Sequence, residues 1–302
     1  PSFMRDLYAR MFLTRAVDNC LWQLNKLEQG RHNHVVSTCR GYEAAQIGSA
    51  ICIAVGKDFT LPYYRDLGVV LTIGMTPYEV LRTYVQAANR RRSEEKETAQ
   101  YDALRIKNMQ PIPHWGYSKH NMVAGSAPVS TQILHAAGIA FACKLRKGFA
   151  LTAVTVAYCG DNATAEPDFL EGITFASLHQ LPVVFVCEQD SFSSSLPDLP
   201  VGLEHHSIDG IDVIAVYLAM QAAMQHVREG LGPVLLELNV QRQSPDSPSS
   251  EENSRSDPLI SYQKYLEKWN IWDQEWAVQL RERLNNDVAQ AMQEALRELA
   301  LE

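Results

Sequence analysis

The chain has 302 residues, 46% of them hydrophobic and 21% charged, with a net charge of -8. That composition gives a full globular core and room for one large domain or two modest ones. The acidic balance argues against nucleic-acid binding, and no apolar run reaches the roughly 18 residues of a membrane span. No signal-peptide pattern opens the chain. The six cysteines are scattered without a CxxC pair, which fits a reducing cytoplasm better than a disulfide framework.

Apolar residues at helical spacing (Phe3, Leu7, Met11, Leu13, Val17, Leu21, Leu24) predict a helix over 3–29 that stops at Gly30. A second helix is expected over 41–55, then a short strand over 58–64. A third helix spans 76–93, with Pro77 in its first turn. Residues 94–128 are polar, carry Pro111, Pro113 and Pro128, and read as a long, partly extended surface segment. A helix over 130–147 follows.

The clearest βαβ pattern comes next. Residues 151–158 form an apolar run suited to a buried parallel strand. A turn at Gly160-Asp161-Asn162, a helix over 169–178 and a second buried strand over 182–187 complete it. Residues 193–209 read as loop, 212–229 as helix and 233–240 as a third buried strand. Residues 241–258 are rich in Ser, Pro, Asp and Glu and read as a mobile loop. The tail from about Tyr262 is helical, with Trp269, Trp272 and Trp276. Strand–helix alternation predicts an α/β fold with an open, mostly parallel sheet, helices on both faces and a helical C-terminal tail. We divide it as an α/β domain over 1–260 and the tail over 261–302.

Ligands of open parallel sheets sit beyond the carboxyl ends of the strands. Asp161 and Asp190 each follow a predicted strand there, with one helix between them. If those strands are neighbours, both carboxylates converge on one site. Carboxylates joined by phosphate oxygens suit Mg²⁺, and the turn amides around Asn162 and Ala163, at a helix start, suit an anion. On spacing alone, a helix cap at Asp161 and a turn acid at Asp190 explain the same residues equally well.

The ordered motifs resemble a known family. Gly160-Asp161-Asn162-Ala163 followed by Glu188-Gln189-Asp190-Ser191-Phe192 resembles the thiamine-diphosphate motif, Gly-Asp-Gly at one strand end and an Asn pair at the next. Gly41-Tyr42-Glu43-Ala44-Ala45-Gln46 and Pro62-Tyr63-Tyr64-Arg65-Asp66 are similar to the early helix and diphosphate loop of decarboxylase alpha subunits. Ala127-Pro128-Val129-Ser130-Thr131-Gln132, Ile208-Asp209-Gly210-Ile211-Asp212-Val213 and Trp272-Asp273-Gln274-Glu275-Trp276 extend the likeness over nearly the whole chain, closest to the branched-chain type.

The resemblance implies the alpha subunit of a 2-oxo acid dehydrogenase decarboxylase. It would bind thiamine diphosphate and Mg²⁺, and transfer an acyl group to a lipoyl-bearing acyltransferase. Asp161, Asp190 and the Phe192 carbonyl would hold the metal. Tyr64, Arg65, Gly160, Asn162 and the Ala163 amide would face the diphosphate, with Val129 beside the thiazolium. Thr131, Gln132 and the backbone near Ala127 resemble a potassium site, which an ordinary helix cap by Ser130 or Thr131 explains nearly as well. A beta subunit would supply the activating glutamate in an assembly of two alpha and two beta chains.

The sequence also departs from that pattern. Asn162 replaces a Gly, and Asp190 replaces an Asn, adding negative charge near the diphosphate. The loop that carries a Gly-His pair in the family reads Arg242-Gln243-Ser244-Pro245-Asp246 here, with no His. A second family His aligns with Asn121. His120, next to it, and His114, which could face a substrate channel, are the candidate catalytic imidazoles. These departures leave a second possibility, a relative that keeps the platform and the interface but has altered carboligation chemistry or none.

Overall fold

The computed structural model describes residues 1–28, 38–86, 116–125, 128–146, 153–190, 196–246 and 256–299. Five strands form one parallel sheet in the order β1-β2-β3-β5-β4. They are β1 (Phe59–Leu61), β2 (Thr155–Gly160), β3 (Val183–Asp190), β4 (Glu204–Asp209) and β5 (Val234–Val240). The central strands β2 and β3 are buried along almost their whole length and mostly apolar, β3 turning polar only at its Glu188-Gln189-Asp190 end. Both faces of the sheet are covered, so alternation gives way to continuous hydrophobicity.

The helices are α1 (Ser2–Glu28), α2 (Glu43–Ala50), α3 (Leu67–Ile73), α4 (77–86), α5 (Thr131–Leu145), α6 (Pro167–Leu178), α7 (Val213–Arg228), α8 (Pro258–Lys268) and α9 (Gln274–Leu299). One sheet face packs Val156, Tyr158, Val184, Val186, Leu236 and Leu238 against α1, α2, α3 and α7. The other packs Ala157, Cys159, Phe185 and Cys187 against α5 and α6. This is the doubly wound α/β arrangement expected from the sequence. The C-terminal helices lie on α1, where Tyr8 meets Trp272 edge-on at 5.0 Å and Arg5 sits 4.8 Å above the Trp276 ring. Among the described residues no helix is long and apolar enough to cross a membrane, and all six cysteines are free thiols.

Four expectations change. The helix expected over 41–55 is shorter, and breaks into turns after Ala50. Residues 67–73 form a helix where a loop was expected. It is short and nearly all buried, so it shows no amphipathic period. Residues 204–209, expected as loop, are the edge strand β4, whose side chains are mostly half-buried or exposed. Its alternation is masked because it borders only β5 and carries polar side chains on both faces. Finally, Asp161–Ala165 is a separate 3-10 turn, and the α-helix starts only at Pro167. The 163 amide therefore sits in a tight turn and not on an α-helix N-terminus.

Candidate active site

The site lies at the carboxyl ends of β2 and β3. Gly160 of β2 is in register with Glu188 of β3, so Asp161 and Asp190 leave neighbouring strands within about one residue of the same level. Adjacent strands lie roughly 4.8 Å apart. A cavity of about 100 Å³ opens here, lined by Tyr42, Tyr63, Tyr64, Arg65, Val129, Gln132 and the turn Gly160–Ala163.

The cavity wall is built by a loop that Gln46 clamps. From buried α2, its side-chain amide donates to the Arg65 carbonyl at 3.1 Å and its oxygen accepts from the Gly68 amide at 2.8 Å. Asp66 accepts from the Tyr63 amide at 2.7 Å, closing the turn. Two motifs that looked separate in the sequence, 41–50 and 62–68, are therefore one mechanical unit. Within it Arg65 is 9% exposed. Its guanidinium donates to the Thr38 carbonyl at 2.9 Å and to the Tyr64 hydroxyl at 3.2 Å. It also lies 5.4 and 5.2 Å from the Tyr42 and Tyr64 ring centres. Stacking and hydrogen bonds fix the planar fork at the cavity, where an anion would meet it preorganised.

Beneath this loop lies a buried acid. Glu188 is 1% exposed. One of its oxygens accepts from the Tyr63 hydroxyl at 2.7 Å, while Oε1 has no hydrogen-bond partner. Burial pushes its carboxyl up to about 7, against the opposing pull of the Tyr63 and Gln46 hydrogen bonds and the Arg65 charge. Asp66 is also raised, by burial first and then by the Glu188 charge. Burial likewise raises the Tyr42 and Tyr63 phenols, so both stay neutral hydrogen-bonding groups.

The structure thus brings Tyr64, Arg65, Val129, Gly160, Asp161, Asn162 and Ala163 around one cavity, with Asp190 at the adjacent strand end. Phe192, His114 and Ala127 lie outside the described residues. His120 does not line the cavity: its Nδ1 is 2.7 Å from the Ile73 carbonyl at the end of α3, and its ring packs on Tyr117. The Thr131 hydroxyl donates to Asp168 at 3.0 Å, and the Gln132 amide donates to the Tyr158 carbonyl at 3.1 Å. Neither Ser130 nor Thr131 forms a side-chain helix cap, and the buried Ser130 Oγ has no hydrogen-bond partner. Sequence reading missed Tyr42 and Tyr63 at the cavity and the buried Glu188 beneath it. Glu188 left one signal, an acid inside an otherwise apolar strand.

A fixed guanidinium, phenols, backbone amides of a tight turn and two strand-end carboxylates make a fitting receptor for a metal-bound phosphate group. Among the described residues no three His, Cys, Asp or Glu side chains form a complete metal-ligand set.

Fold and site together define an α/β protein with a cavity at parallel strand ends whose lining suits an anionic group. Its sequence matches the model of the dehydrogenase E1 component over residues 8–199 and 201–302. It is 33% identical to the 2-oxoisovalerate dehydrogenase subunit alpha of Bacillus subtilis (strain 168), over 96% of this chain and 89% of that one. It is 31% identical to the 3-methyl-2-oxobutanoate dehydrogenase subunit alpha of Mycobacterium tuberculosis (strain ATCC 25618 / H37Rv), over 93% of this chain and 75% of the relative. With the pyruvate dehydrogenase E1 component subunit alpha of Staphylococcus aureus (strain N315) the identity is 27%, over 96% and 77%. The chain belongs to the dehydrogenase E1 component family, the thiamine-diphosphate-dependent decarboxylases of 2-oxo acid dehydrogenases.

Proposed function

We propose that this chain is the alpha subunit of a branched-chain 2-oxo acid dehydrogenase decarboxylase, and that it holds Mg²⁺ and the diphosphate of thiamine diphosphate at the ends of β2 and β3. The observation that carries this is the cavity itself, where buried Arg65 and the turn at Asp161 face one another across neighbouring strand ends. The relatives named for branched-chain oxo acids support the substrate class.

Each residue has a defined task. Asp161 and Asp190, with the Phe192 carbonyl, ligate the metal. Arg65 and Tyr64 donate to the diphosphate, and the amides of Asn162 and Ala163 complete its cradle. Gly160 leaves the cradle open on the side facing the Tyr63 ring. Val129, half exposed, supports the organic part of the cofactor. Buried Tyr63 and Glu188 brace the loop from below and keep water out. The chemistry that thiamine diphosphate supplies when bound is an electron sink for the pair released on decarboxylation. A potassium ion near Thr131 and Gln132 is part of the proposal, the Thr131 oxygen lone pairs remaining open to a cation. His120 and His114 remain proposed as catalytic imidazoles, though the contact of His120 with the carbonyl at the end of α3 does not support that role.

A beta subunit, in an assembly of two alpha and two beta chains, completes the site, and a lipoyl-bearing acyltransferase accepts the product in the cytoplasm. Exposed Leu170, Phe175 and Leu178 on α6 support a protein-covered face. The tail over 261–302 is proposed as a separate helical unit that packs on the domain or on the partner subunit. Co-expression with a beta subunit is expected to yield cofactor-dependent decarboxylation of a branched-chain 2-oxo acid. No turnover by a correctly assembled complex that binds cofactor would favour the second reading, a relative that keeps the platform without the full reaction. Arg242, standing in the loop where the family places a histidine, is the specific observation behind that alternative.

A further inference from the structure

One departure from the family pattern meets a cation in space. Asp190 stands where an uncharged Asn is usual, and its Oδ2 is 3.7 Å from the Nε of Arg242. The two residues are on different strands' ends, and nothing in their sequence separation links them. The sheet does: Asp190 of β3 is in register with Val240 of β5, two residues before Arg242. The backbone there is strapped down. The Gln243 amide donates to the Arg40 carbonyl at 3.0 Å, and Gly41, at φ +96°, lets the Gln241 carbonyl approach where a Cβ would stand 2.1 Å away. Arg242 is held at the rim while its side chain stays 55% exposed. The pair lies beside the cavity: Gly41, packed on the Gln241 carbonyl, precedes the lining residue Tyr42, and Asp190 ends the strand next to the lining turn Gly160–Ala163.

We propose that Arg242 neutralises the additional carboxylate of Asp190, so that this site accepts a metal diphosphate despite carrying one more negative charge than the Asn-bearing pattern. The proposal rests on the Mg²⁺–thiamine-diphosphate reading given above. Its logic is electrostatic. A carboxylate at 190 binds a dication more strongly than an amide but repels the incoming diphosphate. A guanidinium within ion-pair distance offsets that repulsion. At 3.7 Å the pair joins a 55% exposed guanidinium to a carboxylate only 12% exposed. Its effect grows when the ligand displaces water and lowers the local dielectric.

The test is a double-mutant cycle in the assembled alpha–beta complex, read by calorimetric titration with thiamine diphosphate in Mg²⁺. Arg242→Gln should weaken binding about tenfold, because it removes the cation that offsets the carboxylate charge beside the diphosphate. Asp190→Asn/Arg242→Gln should recover to within about twofold of wild type, and Arg242→Lys should retain most of the affinity. The metal-free melting temperature of each variant separates a loss of binding from a loss of folding. Equal losses from Arg242→Gln with Asp190 and with Asn at that position would overturn the proposal, since Arg242 would then act independently of the carboxylate. So would an unchanged affinity in Arg242→Gln. Wild type that binds no cofactor would instead remove the underlying reading, a distinguishable failure that takes this proposal with it.

Discussion

Replacing Glu188 with Gln should flatten the pH dependence of stability. Glu188 is nearly fully buried, and burial raises its carboxyl from 4.5 to about 7 in the folded chain. Between those values the folded state keeps a proton that the unfolded state has released. Stability is therefore full below about pH 4.5, falls as pH rises towards 7, and levels off above it. A rise of that size corresponds to about 3 kcal/mol at 1.36 kcal/mol per unit. Asp66, raised as well, extends the loss in the same direction. In Glu188→Gln the side-chain oxygen still accepts from the Tyr63 hydroxyl and the Gln46 amide, so the loop keeps its braces. Urea unfolding in EDTA, followed by tryptophan fluorescence from about pH 5 to 8, reads the difference without bound metal. The two proteins should be similar near pH 5, with the variant the more stable at pH 8 by up to about 3 kcal/mol. Parallel stability curves for wild type and variant would refute the reasoning.

Arg15→Met should destabilise the chain by about 3–5 kcal/mol, because it strands the buried carboxylates of Glu43 and Asp257, both paired with Arg15. The shift is measured as a denaturation midpoint, and Arg15→Lys should recover only part of it. Gly41→Ala should cost about 3 kcal/mol, from the left-handed backbone and from a Cβ driven into the Gln241 carbonyl. It should also loosen cofactor binding, because the strap carrying Arg242 has to move. Arg65→Lys should weaken binding of thiamine diphosphate about tenfold or more at little cost in melting temperature, since a single ammonium cannot keep the fork's contacts to Thr38, Tyr64 and a phosphate together.

How much of this was legible in the sequence depends on the range of the interactions. The central strands were readable because burial on both faces makes Val156–Cys159 of β2, Val183–Cys187 of β3 and Val234–Leu236 of β5 apolar runs. Asp161 and Asp190 followed from a general rule about strand ends. β4 escaped because Glu204-His205-His206-Ser207 is polar on both faces and is held by a single neighbour. α3 escaped because seven nearly all buried residues show no face. Arg65 was found by its motif, yet what fixes it, Gln46 from another helix and the rings of Tyr42 and Tyr64, emerges only from packing. The pairing of Asp190 with Arg242 needed the order of the strands, since β5 lies beside β3 while β4 intervenes in the chain. His120 shows the converse: proximity in sequence to an expected histidine position suggested catalysis, whereas its ring is spent on the carbonyl at the end of α3.

The most direct test of the central claim is calorimetric titration of the alpha–beta complex with thiamine diphosphate in the presence and absence of Mg²⁺, for wild type and Asp161→Ala. The account predicts Mg²⁺-dependent binding by wild type and a loss of at least about tenfold on removing Asp161, with the complex still assembled. Binding that is indifferent to Mg²⁺ and to Asp161 would contradict it.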